Sequence, residues 1–496
     1  MDQIKNFNII EATIADIHGA MREGRLTARR LVQSYLDRIE AYDKSGPGIN
    51  AIISINANAL AEADALDKDY AASRVLKPLH GIPVIVKDQA DVAGMATTMG
   101  SVLFRGHMPG RDAFAVATLR TAGAIVIAKS TLGEMGAGDC HGSLFGSTRN
   151  VFDLERTTGG SSGGSGAAVS ANFCMVAIGQ EGFASIRRPA AWNGVAGIRP
   201  TAGLVSRTGV YGGWPTINGS LGPMARSVTD MAVLLDHMVG FDAADPLTAM
   251  GVGRAASSYA GALDRQSLKG ARLGILRESI GASSDPASAD FAKVNDVFET
   301  NVRELAAAGA IIVDPLVIPD LKALLATRTR SEDEDDEAFR EYVSGSAAPP
   351  FKTRQEAQAS PLYAETTRGV KQRWEVVHRN ERHYEYLKAR DILMMNMLKV
   401  MAENRLDAIV HKAVEHQPTL IEEGLKPPFR DQTGAPHLNT FLVFVPSVVV
   451  PAGFTVDNLP TGITFLGRPY DDAAMLNFAF AYEQATKHRR APALTP

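Results

Sequence analysis

Three short stretches hold residue types that can move a proton and steady a developing negative charge. They are Leu79-His-Gly-Ile-Pro-Val-Ile-Val-Lys-Asp88, Thr158-Gly-Gly-Ser-Ser-Gly-Gly-Ser-Gly166 and Gly182-Phe-Ala-Ser-Ile-Arg187. A hydroxyl is a poor nucleophile until a neighbouring base takes its proton. Lysine can be that base near pH 7 only when neutral, and burial disfavours its charged form, with values as low as ~5–6 in documented cases. Lys87 follows the apolar run 82–86, which leaves two readings open. Its ammonium either snorkels from a strand end into water, or it lies in a dry pocket and accepts a proton from a serine of the glycine-rich loop. In the second case Ser161 or Ser162 relays the proton and a further serine attacks.

The loop 158–166 is too rich in Gly and Ser to form a strand or helix interior, and Ala167-Ala-Val-Ser-Ala171 after it can start a helix. A loop that opens a helix gathers unpaired N–H groups and small hydroxyls at one point, a setting for an anion or for charge that forms during reaction. A flexible linker is disfavoured by the apolar, periodic sequence on both sides. A nucleotide phosphate loop would end in Gly-Lys-Ser/Thr, whereas this one ends Gly-Ser-Gly.

These residues need a scaffold, and the chain is long enough to build one. At 496 residues it implies either several domains or one large layered sheet. Its 45% hydrophobic and 21% charged content is that of an ordinary globular protein. A formal charge of −4 and no basic tract give no footprint for nucleic acid. Cys140 and Cys174 are the two cysteines, so no disulfide framework is expected and a reducing cytoplasm fits. The start, Met-Asp-Gln-Ile-Lys-Asn, lacks a signal-peptide pattern, and no run of eighteen apolar residues reads as a membrane span.

Helical spacing covers 9–42, with Ile14, Ile17, Met21, Leu31, Leu36 and Ile39 as expected buried positions and Thr27 as an N-cap. Strands are predicted at 51–55, 82–86, 124–129, 271–276, 310–313, 406–410 and 441–450, with helices at 57–70, 113–121 and 292–308. Alternation of this kind argues for an α/β fold on a largely parallel sheet, with chemistry at the strand ends. The run 331–337 reads as a solvated face or helix start. Residues 366–404 read as long helical sequence with Trp374, Val377, Tyr384, Leu387, Met394 and Leu398 near one side.

Taken together, these blocks resemble the amidase signature family of hydrolases along nearly the whole chain. Besides the three stretches above, the likeness lies in Asp91-Val-Ala-Gly-Met-Ala-Thr-Thr-Met-Gly-Ser101, Ala122-Gly-Ala-Ile-Val-Ile-Ala-Lys129, Ser185-Ile-Arg-Arg-Pro-Ala190 and Gly197-Ile-Arg-Pro-Thr201. It continues through Gly222-Pro-Met-Ala-Arg-Ser227, Val450-Pro-Ala-Gly453, Leu466-Gly-Arg-Pro469 and Ala481-Tyr-Glu-Gln-Ala485. The resemblance implies an α/β/α sandwich with a large, mixed, mostly parallel central sheet, and a Ser–cis-Ser–Lys triad. In that triad Lys87 is the base, Ser161 the relay behind a cis peptide at Gly160–Ser161, and Ser185 the nucleophile. The backbone N–H groups of Gly182, Phe183, Ala184 and Ser185 are the implied oxyanion donors.

One departure bears on the pocket. The family's Gly-Thr-Asp-x-Gly-Gly-Ser is replaced by Gly179-Gln-Glu-Gly-Phe-Ala-Ser185, so Glu181 stands at the aspartate position and Phe183 with Ala184 replace two glycines. Phe183 is expected either to stack on an aromatic leaving group or to fill space. Met135 and Gly136 are further candidates for the substrate pocket. Ser162, Glu181 and Arg187 are expected as structural support, Arg187 through an ion pair with Glu181. Cys140-His141 lacks a second ligand pair, and no metal or organic cofactor is expected.

The expected architecture is a single domain over 1–496, with 315–370 as a variable insert or lid. The expected function is hydrolysis of a linear amide, anilide or carbamate (a urethanase-like activity included) through an acyl-enzyme. The altered loop and the insert point toward a relatively apolar amide or aryl carbamate. Alternatives are the glutaminase subunit of a tRNA-dependent amidotransferase and a non-catalytic binding member of the family. A small-molecule substrate, no nucleic acid or membrane partner, and a monomer or homodimer complete the expectations.

Overall fold

The apolar runs read from the sequence become strands of one sheet. A computed structural model describes residues 7–212, 216–375 and 380–496. The strands are β1 Ile52–Ile55, β2 Pro83–Lys87, β3 Ile125–Ser130, β4 His141–Gly142, β5 Gly146–Ser147, β6 Val176–Glu181, β7 Ala196–Arg199, β8 Ser220–Ala225, β9 Arg272–Ile275, β10 Ile311–Val313, β11 Ala408–Lys412, β12 Ser447–Phe454 and β13 Pro460–Leu466. Eleven of them join in the order β1-β3-β2-β6-β8-β7-β12-β13-β11-β9-β10, while β4 and β5 form a small separate ribbon. Helices cover the sheet, and the central strands β2, β3 and β6 are buried along their entire lengths.

The mixed sheet is as expected, but its balance is not. Parallel pairing is confined to two blocks, β3–β2–β6 and β11–β9–β10. The six other neighbour pairs are antiparallel. Strand direction depends on how far the chain travels between strands, which periodicity within one strand does not encode.

Local signals mostly hold. Thr27 caps the helix Ala28–Ile39 by accepting the Arg30 N–H at 3.2 Å. Of the expected buried positions in 9–42, Leu36 is only partly covered. The 366–404 region is corrected. It contains two helices, Arg368–Glu375 and Asn380–Glu403. In the second, the buried face is Tyr386, Ala389, Leu393, Met397, Val400 and Met401, whereas Tyr384 and Leu387 are 65% and 37% exposed. The apolar residues there surround much of the helix, so the sequence leaves its phase open, and Tyr386 fixes it by donating to the Thr440 carbonyl at 2.6 Å. Val377 lies outside the described residues. Strand 441–450 is also displaced: residues 438–440 form a single 3-10 turn and β12 begins at Ser447.

The segment 315–370 contains the helices Leu321–Ala326, Glu332–Ser344 and Arg354–Ala359. Its Phe339, Tyr342, Val343 and Ala357 pack with Met99, Leu103, Phe104 and Met135 in a core of their own. The acidic run at 331–337 is a helix start, as one reading had it, but Asp335 is turned inward and buried. No helix among the described residues is long and apolar enough to cross a membrane.

Candidate active site

Parallel pairing of β2 with β6 brings their carboxyl ends together, with Val84 opposite Val176 and Val86 opposite Ile178. Lys87 closes β2, and Gln180-Glu181 close β6 just before the Ser185 loop. The helix Gly163–Ser170 begins beside both ends, so the glycine-rich loop is threaded over the crevice where such sheets place their chemistry. Glycine is required here by close approach. A Cβ on Gly164 would lie 2.4 Å from the Thr131 carbonyl oxygen, and one on Gly160 would lie 2.2 Å from that of Gly138.

Lys87 does not snorkel. It is fully buried, and its Nζ lies 2.7 Å from Ser161 Oγ and 3.3 Å from the Gln180 carbonyl. Among the described residues no carboxylate forms an ion pair with it. Burial holds its amine well below the ordinary lysine range, outweighing the opposing pull of the nearby Cys140 and of the Glu181 carboxylate, and the charge of Arg373 adds to the lowering. A neutral amine offers a lone pair to one partner and N–H groups to others, and this pair of contacts suits that form.

The peptide between Gly160 and Ser161 is cis. Ser161 is tied to the 133 turn by its carbonyl, which accepts the Gly133 N–H at 3.0 Å. Ser162 turns to the other strand. Its Oγ lies 3.2 Å from both the carbonyl and the N–H of Gln180, and its own N–H donates to the Ser185 carbonyl at 3.0 Å. Its hydroxyl is therefore engaged by backbone, whereas that of Ser161 meets the amine. Ser185 is 8% exposed and lines a cleft of about 320 Å³. Among the described residues no hydrogen bond joins the Ser161 and Ser185 hydroxyls directly.

Glu181 organises the loop between them. One carboxylate oxygen accepts the backbone N–H groups of Ile186 and Arg187 at 2.9 and 3.0 Å, and the other accepts Arg187 Nε at 2.8 Å. Both side chains are fully buried, and Arg187 also donates to the Phe183 carbonyl at 3.1 Å. This brace turns 182–185 so that Gly182, Phe183 and Ser185 all line the cleft. The backbone N–H groups of Gly182, Phe183, Ala184 and Ser185 have no backbone acceptor among the described residues, so the loop does not spend them on its own carbonyls.

The pocket candidates separate. Gly136 lines the cleft, while the Met135 side chain is buried in the cluster with Met99, Phe104 and Phe339, and its carbonyl accepts Arg373 Nη1 at 2.7 Å. Phe183 already has two ring partners. His437 stacks on it with centroids 5.0 Å apart and planes within 1°, and the Arg328 guanidinium lies 4.7 Å over its centroid. Burial, with Arg328 nearby, pushes His437 down to about 3, so the stacked imidazole is neutral.

Several lining residues escape sequence reading. Gln180, Arg188, Arg328, Arg330 and Arg373 all reach the cleft from separate parts of the chain. Arg328-Thr-Arg330 is visible in the sequence as a basic pair beside an acidic run, but nothing in its spacing says which way it faces. Cys140 is buried beside Thr148, and among the described residues no cluster of His, Cys, Asp or Glu could hold a metal ion. A second cavity of about 360 Å³ shares Ala137, Gly138, Gly369 and Asp431 with the first.

Comparison with known proteins gives this geometry a context. The Amidase family model matches residues 30–476. The A-type subunit of the glutamyl-tRNA(Gln) amidotransferase of Symbiobacterium thermophilum is 33% identical over 488 residues, 95% of this chain and 96% of that one. A protein of Arabidopsis thaliana named "Probable amidase" is 30% identical over 98% of this chain and 92% of its own length. Among solved structures, the native peptide amidase of Stenotrophomonas maltophilia superposes with a TM-score of 0.84 at 32% identity, covering 99% of this chain and 100% of that one. The chain belongs to the amidase signature family.

Proposed function

We propose that this protein hydrolyses the C–N bond of a linear amide, anilide or carbamate through a seryl acyl-enzyme. Ser185 attacks the carbonyl carbon while its proton passes to Ser161 and that of Ser161 to Lys87. The tetrahedral oxyanion is held by the N–H groups of 182–185. Collapse breaks the C–N bond, and the leaving amine takes the proton back along the same path. Water then attacks the acyl-enzyme, releasing the acid and restoring Ser185. The observation that carries this reading is the buried Lys87 amine 2.7 Å from the Ser161 hydroxyl, with no carboxylate partner among the described residues. Such an amine is costly to bury, and a role as base explains its retention.

The test is covalent labelling. A fluorophosphonate should add one phosphonyl group, located by peptide mass spectrometry at Ser185, and no adduct would favour a non-catalytic binding protein. The amidotransferase reading draws on the 33% identity to the A-type subunit of such an enzyme. Phe183 and Ala184 in the oxyanion loop speak against it. Turnover of anilides or carbamates without turnover of glutamine would reject it, and the reverse would establish it.

A further inference from the structure

The cavity of about 360 Å³ beside the Ser185 cleft meets it along a common wall of Ala137, Gly138, Gly369 and Asp431. Glycine keeps that wall thin. Gly138 has φ +69°, and a Cβ on it would lie 3.2 Å from Asp431 Oδ2. Much of the remaining lining is apolar: Leu420, Ile421, Leu425 and Phe429. The short helix Ile421–Leu425 gives Ile421, Gly424 and Leu425 to the cavity at i, i+3 and i+4 spacing, whereas Glu422 and Glu423 stay out of it. Leu420, Leu425 and Phe429 are all exposed. Large apolar side chains gathered around one concave opening mark a place that an apolar group covers.

The charged and titratable side chains of this chamber are answered within the protein. Asp139 pairs with Arg188 at 2.7 Å, Asp431 pairs with Arg368 at 3.1 Å, and His141 Nδ1 lies 2.8 Å from Ser147 Oγ. The Arg368 guanidinium also lies 3.8 Å over the Phe429 ring centroid, which braces the ring at the chamber wall. An uncharged group can therefore enter without stranding a partner, while a charged one would break an existing pair or lose its water unanswered.

We infer that this chamber receives an uncharged apolar arm of the amide substrate, carried on the acyl or the amine side of the scissile bond, and that Leu425 and Phe429 select it. Its common wall with the Ser185 cleft makes substrate the occupant, in preference to a separate partner molecule. Mostly apolar lining with a few placed polar groups is what a small-molecule subsite requires. This inference rests on the hydrolase reading above, and its test separates the two.

Two matched series supply that test. Acetyl-, butyryl- and hexanoyl-4-nitroanilide lengthen the acyl arm, and N-methyl-, N-propyl- and N-pentylbutyramide lengthen the amine arm. In one series kcat/KM should rise by ~10–100-fold from the shortest member to the longest, since each buried methylene adds to binding. A terminal ammonium on the longest arm should cancel that rise. A Cβ on Gly424 meets no heavy atom within 4 Å, so Gly424→Phe adds bulk at the chamber without a built-in clash. Gly424→Phe and Leu425→Trp should bring the ratio toward one while the melting temperature and the turnover of the shortest member hold, and Phe429→Ala should shrink the ratio. Rates that stay flat or fall with arm length in both series, or a ratio unchanged in all three variants, would overturn the proposal. Binding is read separately by thermal shift on Ser185→Ala. A larger shift from the longest amide than from the shortest, lost when Gly424→Phe is added, with no turnover by the unaltered protein, would remove the hydrolysis and keep the chamber. Turnover with no dependence on arm length would do the opposite.

Discussion

Lys87 and Lys129 stand near the carboxyl ends of neighbouring parallel strands, both fully buried, and they are built for different work. Lys129 is ion-paired with Asp88 at 2.7 Å and donates to the Ala96 carbonyl at 2.9 Å and to Thr97 Oγ1 at 2.8 Å. Asp88 is held in turn by the Thr98 N–H at 3.0 Å. That is a closed network joining β2, β3 and the 96–100 turn. Lys87, in the adjacent register position, meets only a hydroxyl and a carbonyl among the described residues. The same side chain at the same depth is thus structural where a carboxylate answers it, and chemically poised where none does.

The largest effect that separates the two sites should come from Lys87→Met. Removing the base should lower kcat/KM by ~10²–10⁴-fold. The melting temperature should stay level or rise, because an apolar side chain of similar size replaces a desolvated amine. Ser161→Ala should fall in the same range of lost activity, and Ser162→Ala far less, since its hydroxyl serves backbone at Gln180. Steady-state kinetics beside calorimetry checks both, and a larger loss in Ser162→Ala would exchange their roles.

Next in size is the converse for Lys129→Met. It strands the buried Asp88 carboxylate, a change that costs ~3–5 kcal/mol of stability. Adding Asp88→Asn should recover part of that loss, giving a non-additive double-mutant cycle in urea unfolding. Additive losses would mean that the two lysine sites differ less than their partners suggest.

Much of this site is legible in the sequence, for reasons that differ by residue. Apolar residues 82–86 announce a buried strand with a lysine at its end, and the Gly/Ser composition of 158–166 announces close backbone approach. Glu181 and Arg187 lie six residues apart around one turn, so their pairing is nearly local. Whether Lys87 snorkels or is sealed depends instead on β6 and the helix Gly163–Ser170, which close over it from other parts of the chain. The cleft's arginines arrive from 188, 328, 330 and 373, and no pattern within any of those segments reports the others. Strand direction and the phase of the helix Asn380–Glu403 escape for the same reason: a period gives faces, and tertiary partners choose among them.

The finest test reads the Lys87 amine through stability alone. In the unfolded chain its lysine titrates near the ordinary value of about 10.4. In the folded protein burial lowers that value, so between the two the unfolded chain binds a proton that the folded chain does not. Stability rises with pH wherever the unfolded state holds more protons. One such group contributes a slope of about 1.4 kcal/mol per pH unit, which begins at the folded value and ends near the ordinary lysine range. Other groups titrate too, so the quantity to measure is the unfolding free energy of the unaltered protein minus that of Lys87→Met, across pH. That difference should climb as pH rises and then level off. The acidic limb of kcat/KM should have its midpoint where the climb begins, because one deprotonation underlies both. A flat difference would mean that Lys87 keeps its proton in the folded state, and the contrast with Lys129 would then reduce to a choice of counter-ion.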